Sequence, residues 1–367
     1  MQGISERVLR LIESSGLSRG DFARRIGLDD SKLSKSLSGA RRFSSLDLAR
    51  IAEEYEVTVD WLVTGEEPAL ALAARTTGGQ AGAALRAAKL YTSMRADMAT
   101  LGYPQPWNPV PERASGGTYA EQGGRLADAA LARIRAAGRL VTEADLPSLV
   151  EQVFGTDVAV IPLDDGFDGL AASSAGARVV VLATSRTPAR QRYTLAHELG
   201  HLLAGDDQDV HLDRDIYDKA QARDPGEMRA NSFASAFLMP ADMLDAAVGP
   251  DGMTEAGFAA LACDLRVSPS ALAIRLSQLR LADAGRCERY KPITAARAAS
   301  IADRGEDFAR SVTEANKLRP PGLLVRDAYA AYEAGAATLQ PYANLLGVDV
   351  DELRRELESE DGIHDPS

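Results

Sequence analysis

Apolar residues recur at helical spacing through the first sixty-five residues of the chain. The recurring positions are Val8, Leu9, Leu11, Ile12, Phe22, Ala23, Ile26, Leu33, Leu37, Leu46, Leu48, Ala49, Ile51 and Ala52. Ser18 is placed to cap a helix that stops at Gly27, and the next short helix begins at Asp30 or Ser31. The segment VTVDWLVTG then closes the unit. The pattern predicts a compact helical unit over residues 1–65.

The pattern is interrupted over residues 66–118. This part opens with EEPALALAARTTGGQAG, which is typical of a linker, and an alanine-rich helix follows around Leu85–Leu101. The next segment, YPQPWNPVPERASGGTY, contains four prolines and two glycines, which prevent regular structure. We interpret residues 66–118 as a linker and a helical arm.

Residues 119–284 combine helical spacing with two valine-rich segments. An amphipathic helix begins at Tyr119, and TDVAVIPL and ARVVVLAT predict strands. Pro188 suits the first turn of the helix that contains RYTLAHELGHLL. The helical segments EMRANSFASAFLMP and SPSALAIRLSQLRLA follow. We therefore predict a mostly helical α+β protein with a small sheet in this domain and a separate helical region over residues 285–367.

Composition narrows the class of protein. The net charge is −12, so any nucleic-acid contact must come from a local basic patch. The two cysteines, Cys263 and Cys287, form no CxxC pair, which argues against a disulfide framework and a thiolate zinc knuckle. The chain contains no apolar run of membrane-spanning length and no signal-peptide pattern at its start. We expect a cytoplasmic protein with no membrane partner.

The segment HELGH carries the chemistry that the sequence shows most clearly. Residues four apart on a helix lie about 40° apart around its axis, so His197 and His201 can bind one cation together. Glu198 lies beside them, where it can contact a metal-bound water without binding the metal. A catalytic zinc site takes three protein ligands, so a third must come from elsewhere.

Two residues compete as the third ligand. Glu227 opens an amphipathic helix that can cross the first helix, which makes it the favoured candidate. His211 lies ten residues after the second histidine, in a polar stretch where a lone surface histidine is common. Two imidazoles and a carboxylate suit Zn²⁺, and they also suit Mn²⁺.

The pair RQRYTLAHELGHLL and EMRANSFASAFLMP resembles the ImmA/IrrE metallopeptidases over roughly residues 145–245. The resemblance implies a minimal zincin-like fold in which His197, His201 and Glu227 bind the metal and Glu198 is the general base. It also implies metal-assisted peptide hydrolysis. The strand before the motif often ends in asparagine in this family, whereas this chain has Ala183, which puts a substrate contact at that position in doubt.

Two further features of a peptidase site stay open at the level of sequence. Tyr193, His211 and Tyr217 are candidates for the residue that stabilises the developing oxyanion. Tyr193 fits equally well as a core residue. The strand ARVVVLAT could align an extended substrate by strand addition, or it could be a buried central strand.

The segment LSRGDFARRIGLDDSKLSKSLSGARRF resembles the XRE, or phage-repressor, type of helix-turn-helix over residues 1–65. In that arrangement the helix from about Asp30 to Ser38 enters the major groove of double-stranded DNA. Basic residues outnumber acidic ones by seven to three over residues 19–42. The candidate DNA contacts are Ser31, Lys32, Ser34 and Lys35 on this helix, with Arg41 and Arg42 at phosphates. A protein-interaction or dimer module is the alternative.

Two functions are consistent with these features. The first is a DNA-binding regulator with a metallopeptidase that cleaves a repressor-like protein in stress or prophage control. The second is a repressor or antitoxin-like regulator whose metal site is structural or sensory, although such a site does not need Glu198. Tyr329, Tyr332 and Tyr342 have roughly helical spacing, which indicates packing or a homodimer contact more than a ligand site.

Overall fold

A computed structural model describes most of the chain. The described residues are 3–55, 57, 62–63, 71–76, 82–110, 116–163, 166–174, 176–206, 211–213, 224–248 and 252–361. The chain divides into two compact units, Met1–Leu70 and Ala71–Ser367. The sequence predicts four segments, whereas in the structure the predicted arm and the C-terminal region share one unit with the predicted peptidase domain.

The N-terminal unit contains four capped or glycine-terminated helices among its described residues. They are α1 (Ile4–Ser15), α2 (Arg19–Arg25), α3 (Asp30–Leu37) and α4 (Ser45–Glu54). Ser18 and Asp29 accept hydrogen bonds from backbone amides in the first turns of α2 and α3, which explains why these helices begin where the sequence predicts. Phe22, Ile26 and Leu33 are buried in the core that these helices share. Most of the predicted closing segment lies outside the described residues.

The second unit contains a five-stranded sheet among its described residues. The strands are β1 (Ala71–Thr76), β2 (Asp157–Ile161), β3 (Phe167–Ser173), β4 (Arg178–Ala183) and β5 (His211–Asp213), in the order β2-β4-β3-β1-β5. The strands β2 and β4 are parallel, and β3 pairs antiparallel with both β4 and β1. The two valine-rich segments that predict strands are β2 and β4.

Sequence pattern did not reveal β1 or β3. Their sequences, ALAART and FDGLAAS, contain no β-branched residue except the last threonine of β1, so local propensity does not indicate a strand. The strand β1 lies inside the predicted linker and pairs with β3 through most of its length. Tertiary pairing therefore decides the conformation of this segment.

Helices make up most of the second unit. Around the sheet lie α5 (Gly82–Thr100), α6 (Tyr119–Ala136), α7 (Leu146–Phe154), α8 (Pro188–Ala204), α9 (Pro225–Leu238), α10 (Ala241–Ala247), α11 (Glu255–Asp264) and α12 (Pro269–Gln278). The chain continues with α13 (Ala284–Tyr290), α14 (Ala295–Ile301), α15 (Gly305–Ala315), α16 (Gly322–Glu333), α17 (Gln340–Leu346) and α18 (Val350–Asp361). The predicted fold class, mostly helical α+β with a small sheet, is confirmed.

Taken singly, none of the described helices is both long and apolar enough to cross a bilayer. Only α11 and α12 taken together meet the length and composition criteria, and they are bent by 105° relative to each other.

A buried ion network joins the predicted arm and the C-terminal region to the sheet. The Arg95 guanidinium, on α5, is fully buried and pairs with Asp157 on β2 and with Asp327 on α16. Burial raises the pKa of Asp157, and the hydrogen bonds and charge of Arg95 oppose that rise. Because one guanidinium from α5 pairs with both β2 and α16, these two helices are parts of the sheet's own core.

The outer edge of β2 is paired within the chain. Val160 and Arg319 exchange backbone hydrogen bonds of 2.8 and 2.9 Å. The side chain of Arg319 pairs with the buried Glu151 on α7 and contacts the Val158 carbonyl oxygen at 2.5 Å. The segment that leads from α15 to α16 therefore covers this edge at Val160.

The tyrosines of the C-terminal region pack against one another. The ring centroids of Tyr329 and Tyr342 lie 5.0 Å apart, and those of Tyr329 and Tyr332 lie 6.3 Å apart. These contacts agree with packing, the interpretation that the sequence favours.

Candidate metal centre

The helix α8 holds HELGH against the sheet. Pro188 lies in its first turn, and Gly205 ends it in the left-handed conformation. His197 and Glu198 are fully buried and His201 nearly so. A side chain at Gly200 would place its Cβ 3.0 Å from Phe233 Cδ1 and 3.3 Å from Ala230 Cα. The glycine between the histidines therefore allows α9 to approach α8 closely.

That approach brings together three of the candidate metal ligands. His197 Nε2 lies 3.0 Å from His201 Nε2, and Glu227 contributes Oε1 at 3.1 Å from His201 Nε2 and Oε2 at 3.4 Å from His197 Nε2. Three donors on a tetrahedral zinc ion with bonds of about 2.05 Å would be separated by about 3.3 Å. The three side chains are thus spaced as ligands of one small divalent cation.

The charges of the cluster also favour a cation. Burial alone would lower the pKa of His201, but the carboxylates of Asp206, Glu227 and Glu198 raise it to about 10. Burial alone would raise the pKa of Glu227, but the hydrogen bonds and charges of the two histidines hold it well below its ordinary value. Two imidazoles among three carboxylates therefore attract positive charge, and a metal would bind with release of protons.

Asp206 is a residue of the site that sequence analysis missed. Its Oδ2 lies 3.7 Å from His201 Nδ1, on the side of the ring away from Glu227. Arg229, on α9, pairs with Asp206 and also donates to Gln122 Oε1 on α6 at 2.9 Å. A carboxylate behind a ligating histidine orients the ring and increases its basicity. The useful sequence signal was an acidic residue five positions after the second histidine.

Tyr193 links the two helices of the site. Its hydroxyl group donates to Asn231 Oδ1 at 2.9 Å, so α8 and α9 are joined one turn before His197. The structure therefore gives Tyr193 a positioning role between the helices. The side chain of His211 and all of Tyr217 lie outside the described residues.

A large cleft reaches the cluster from one side. Its volume is about 1670 Å³, and Glu227, Tyr193 and Asn231 are among its lining residues.

The strand β4 lies between β2 and β3, so it is a buried interior strand and cannot accept a substrate by strand addition. At Ala183, the backbone carbonyl oxygen accepts a hydrogen bond of 2.8 Å from Gln191 Nε2.

The candidate DNA contacts lie on the N-terminal unit. Ser31, Lys32, Ser34 and Lys35 are all exposed on α3, and Arg42 is exposed as well. The Arg41 guanidinium pairs with the buried Asp47 at 2.8 Å and donates to Ser36 Oγ at 3.0 Å, so this side chain joins α3 to α4. Its contact with a phosphate stays a prediction.

The central part of the second unit is similar in sequence to known proteins. Residues 152–277 match the family model of the IrrE N-terminal-like domain, a peptidase family. The radiation response metalloprotease IrrE of Deinococcus radiodurans is 33% identical over 141 residues, which cover 36% of this chain and 40% of the relative. The protein of the same name from Deinococcus deserti is 35% identical over 101 residues, covering 27% and 36% respectively.

The match includes all three clustered ligands and supports the resemblance to the ImmA/IrrE metallopeptidases. The chain spans less than half the length of these two relatives. The family-model match covers the region around the metal centre, and the N-terminal unit lies outside residues 152–277.

Proposed function

We propose that this chain is a metal-dependent endopeptidase joined to a DNA-binding unit, and that it cleaves a repressor-like regulatory protein. The observation that carries the proposal is the His197, His201 and Glu227 cluster, whose ligand atoms all lie within 4.8 Å of one another. Glu198 lies on α8 between the two histidines, and Glu227 lines the open cleft beside the cluster. The similarity to IrrE metalloproteases supports the same chemistry.

The side chains of the site divide the work of peptide hydrolysis. A divalent ion, Zn²⁺ or Mn²⁺, would supply a Lewis acid that polarises a water molecule and the scissile carbonyl group. His197, His201 and Glu227 would hold it, and Asp206 would keep the His201 ring in the binding orientation. Glu198 would accept the proton of the attacking water and pass it to the leaving amine.

The packing of the two helices prepares this arrangement before substrate binds. Gly200 allows the close contact with Phe233, and the bond from Tyr193 to Asn231 joins the same two helices. His197 and Glu198 are fully buried, and Glu227 lines the cleft that leads to them. A preorganised, largely dry site strengthens the electrostatic interactions that catalysis uses.

Two variants distinguish loss of the general base from loss of a metal ligand. Glu198→Gln should bind metal as the wild type does and lose cleavage, whereas Glu227→Gln should lose both metal and cleavage. The assay incubates metal-loaded protein alone and with repressors encoded beside it, reads cleavage by intact mass, and measures bound metal by elemental analysis. A fully active Glu198→Gln variant would refute the peptidase mechanism. A wild type that retains metal and cleaves nothing would favour a structural or sensory site.

We further propose that the N-terminal unit binds double-stranded DNA through α3. Lys32 and Lys35 are exposed on this helix, and the cap at Asp29 orders its first turn. Arg42 would contribute a phosphate contact, whereas Arg41 is engaged by Asp47. The resemblance to the phage-repressor type of helix-turn-helix supports this assignment.

DNA binding can be tested by its salt dependence. Changing Lys32 and Lys35 to alanine should weaken binding to an operator selected from random duplexes. The slope of log K against log salt concentration should fall by about 2, because each lost phosphate contact removes about 0.9. Arg10→Ala removes an exposed charge from α1 and serves as the control. Absence of any salt-sensitive binding by the wild type would assign the unit to protein interaction.

A further inference from the structure

The lining of the cleft beside the metal centre contains more basic than acidic side chains although the chain is acidic. Nine arginine and lysine side chains line it against five carboxylates, while the whole chain carries a net charge of −12. Five of the nine are in ion pairs, with Asp168, Asp264, Asp307, Glu314 and Glu151. The remaining four are in no ion pair among the described residues: Arg186, Arg192, Arg266 and Arg275.

Two of these four guanidinium groups donate to neighbouring backbone carbonyl groups, at residues 141–143. Arg192 is 8% exposed and donates to the carbonyl oxygens of Val141 and Glu143 at 2.7 and 2.8 Å. Arg266 donates to the Thr142 carbonyl oxygen at 3.1 Å. Burial, together with the charge of Arg266, lowers the pKa of Arg192 to about 9. These two charges therefore lie close together. Neither guanidinium forms an ion pair among the described residues, although the charge of Asp145 partly offsets the lowering of the Arg192 pKa.

The hydrogen bonds of Arg192 and Arg275 leave their guanidinium charges without a paired carboxylate among the described residues. The Nε of Arg192 is buried and has no hydrogen-bond partner. Arg275, which lines the same cleft from α12, makes a long hydrogen bond of 3.4 Å to the Met239 carbonyl oxygen. A buried guanidinium without a carboxylate is costly, and a ligand carboxylate would offset that cost through charge-assisted hydrogen bonds.

The same cleft exposes apolar side chains between the arginines. Met228, Ile274 and Leu318 are 39%, 45% and 67% exposed, and all three line the cleft. Its aromatic residues, Tyr193 and Phe308, are half-buried, so an exposed stacking platform for nucleotide bases is absent from the described lining. Apolar and cationic groups together fit a polypeptide with apolar and acidic side chains better than a nucleic acid.

We propose that Arg192, Arg266 and Arg275 form a cationic subsite that selects acidic side chains of the polypeptide substrate. The inference rests on the proposed peptidase function and specifies its substrate class. Arg192 anchors the subsite from within the wall, and Arg266 and Arg275 contribute its more accessible charges.

Binding of defined peptide pools tests the subsite. The protein is the full chain carrying Glu198→Gln and loaded with Zn²⁺, so that peptides bind without being cut. The probes are three fluorescein-labelled pools of dodecapeptides with one degenerate apolar frame and four positions occupied by Glu, Gln or Lys. Fluorescence anisotropy at low salt should show about tenfold tighter binding of the Glu pool than of the Gln pool, and added salt should reduce this preference.

The chain offers a matched control for the arginines. Arg266 and Arg280 both follow a helix in the left-handed conformation, at φ 54° and 58°, and only Arg266 lines the cleft. Asparagine tolerates this conformation, so Arg266→Asn and Arg280→Asn remove the same charge from the same backbone geometry. Arg266→Asn combined with Arg275→Gln should reduce the Glu preference to twofold or less, whereas Arg280→Asn should preserve it.

The outcomes distinguish the subsite from the peptidase. Equal binding of the Glu and Gln pools, or a preference that survives in the double variant, overturns the subsite. Tighter binding of an oligothymidylate that displaces the Glu pool overturns it in favour of nucleic acid. If the double variant fails to fold, Arg275→Gln alone should lower the preference about threefold. The protein with intact Glu198 is also assayed for cleavage. If it prefers the Glu pool but cleaves no peptide, the peptidase function is refuted and the subsite remains supported.

Discussion

Two adjacent glycines of α6 provide a direct test of how the ligand-bearing helix is held. A Cβ at Gly123 would lie 2.3 Å from the Arg229 carbonyl oxygen and 2.9 Å from Phe233 N, both on the backbone of α9. A Cβ at Gly124 would meet nothing within 4 Å. Both positions are inside the same helix, so alanine increases helix propensity equally at each, by about 1 kcal/mol.

The two substitutions should therefore have opposite effects on stability. Gly124→Ala should raise the free energy of unfolding by about 1 kcal/mol. At Gly123 an ordinary contact requires the backbones of α6 and α9 to separate by about 1 Å, and overpacking of this kind costs up to about 3 kcal/mol. The free energy of unfolding of Gly123→Ala should thus be about 2 kcal/mol below that of the wild type. The two variants should therefore differ by about 3 kcal/mol.

Calorimetry and metal titration measure the consequence. The transition temperatures of the two variants should differ by about 6 °C, at roughly 2 °C per kcal/mol for a unit of this size. Because α9 carries Glu227, Gly123→Ala should also weaken zinc binding by at least about tenfold, while Gly124→Ala should not. If Gly123→Ala were as stable as Gly124→Ala and bound zinc equally well, the close contact of α6 and α9 would be wrong.

Three further outcomes follow from the contacts of the second unit. Asp206→Asn should weaken zinc binding by about 10- to 100-fold in calorimetric titration, because His201 loses its orienting carboxylate; unchanged affinity would exclude that role. Asp327→Asn leaves the buried Arg95 with one carboxylate and should lower the free energy of unfolding in urea by about 3 kcal/mol, and a neutral effect would contradict the network. The Arg139 guanidinium lowers the pKa of Glu143 to about 2 from an ordinary value of 4.5, so its stabilisation is full above about pH 5 and lost as pH falls towards 2. The stability difference between wild type and Glu143→Gln should vanish over that range, and a constant difference would refute the assignment.

The local sequence was sufficient to predict the features that depend on a single helix. Periodicity and capping residues located α2 and α3, and Ser18 and Asp29 cap them in the structure. The spacing of His197 and His201 placed both imidazoles on one face of a helix. These features depend on neighbours within about four residues, which is the range over which helix geometry acts.

Contacts between distant segments were beyond that range. The strand β1 has a linker-like sequence and is held by pairing with β3, and Arg41 forms an ion pair with Asp47 on a different helix. The helix α16 belongs to the core of the sheet because Arg95 pairs with Asp327 across 232 residues of sequence. Each of these outcomes depends on a partner that no local pattern identifies.

The metal centre shows the same division within a single site. The sequence by itself determined the imidazole pair, the adjacent Glu198 and a choice between two third ligands. The tertiary structure decided that Glu227 closes the cluster and that Asp206 lies behind His201. The reason is that α8 and α9 approach closely at Gly200, where a Cβ would crowd Phe233 and Ala230, and this packing does not follow from spacing along the chain.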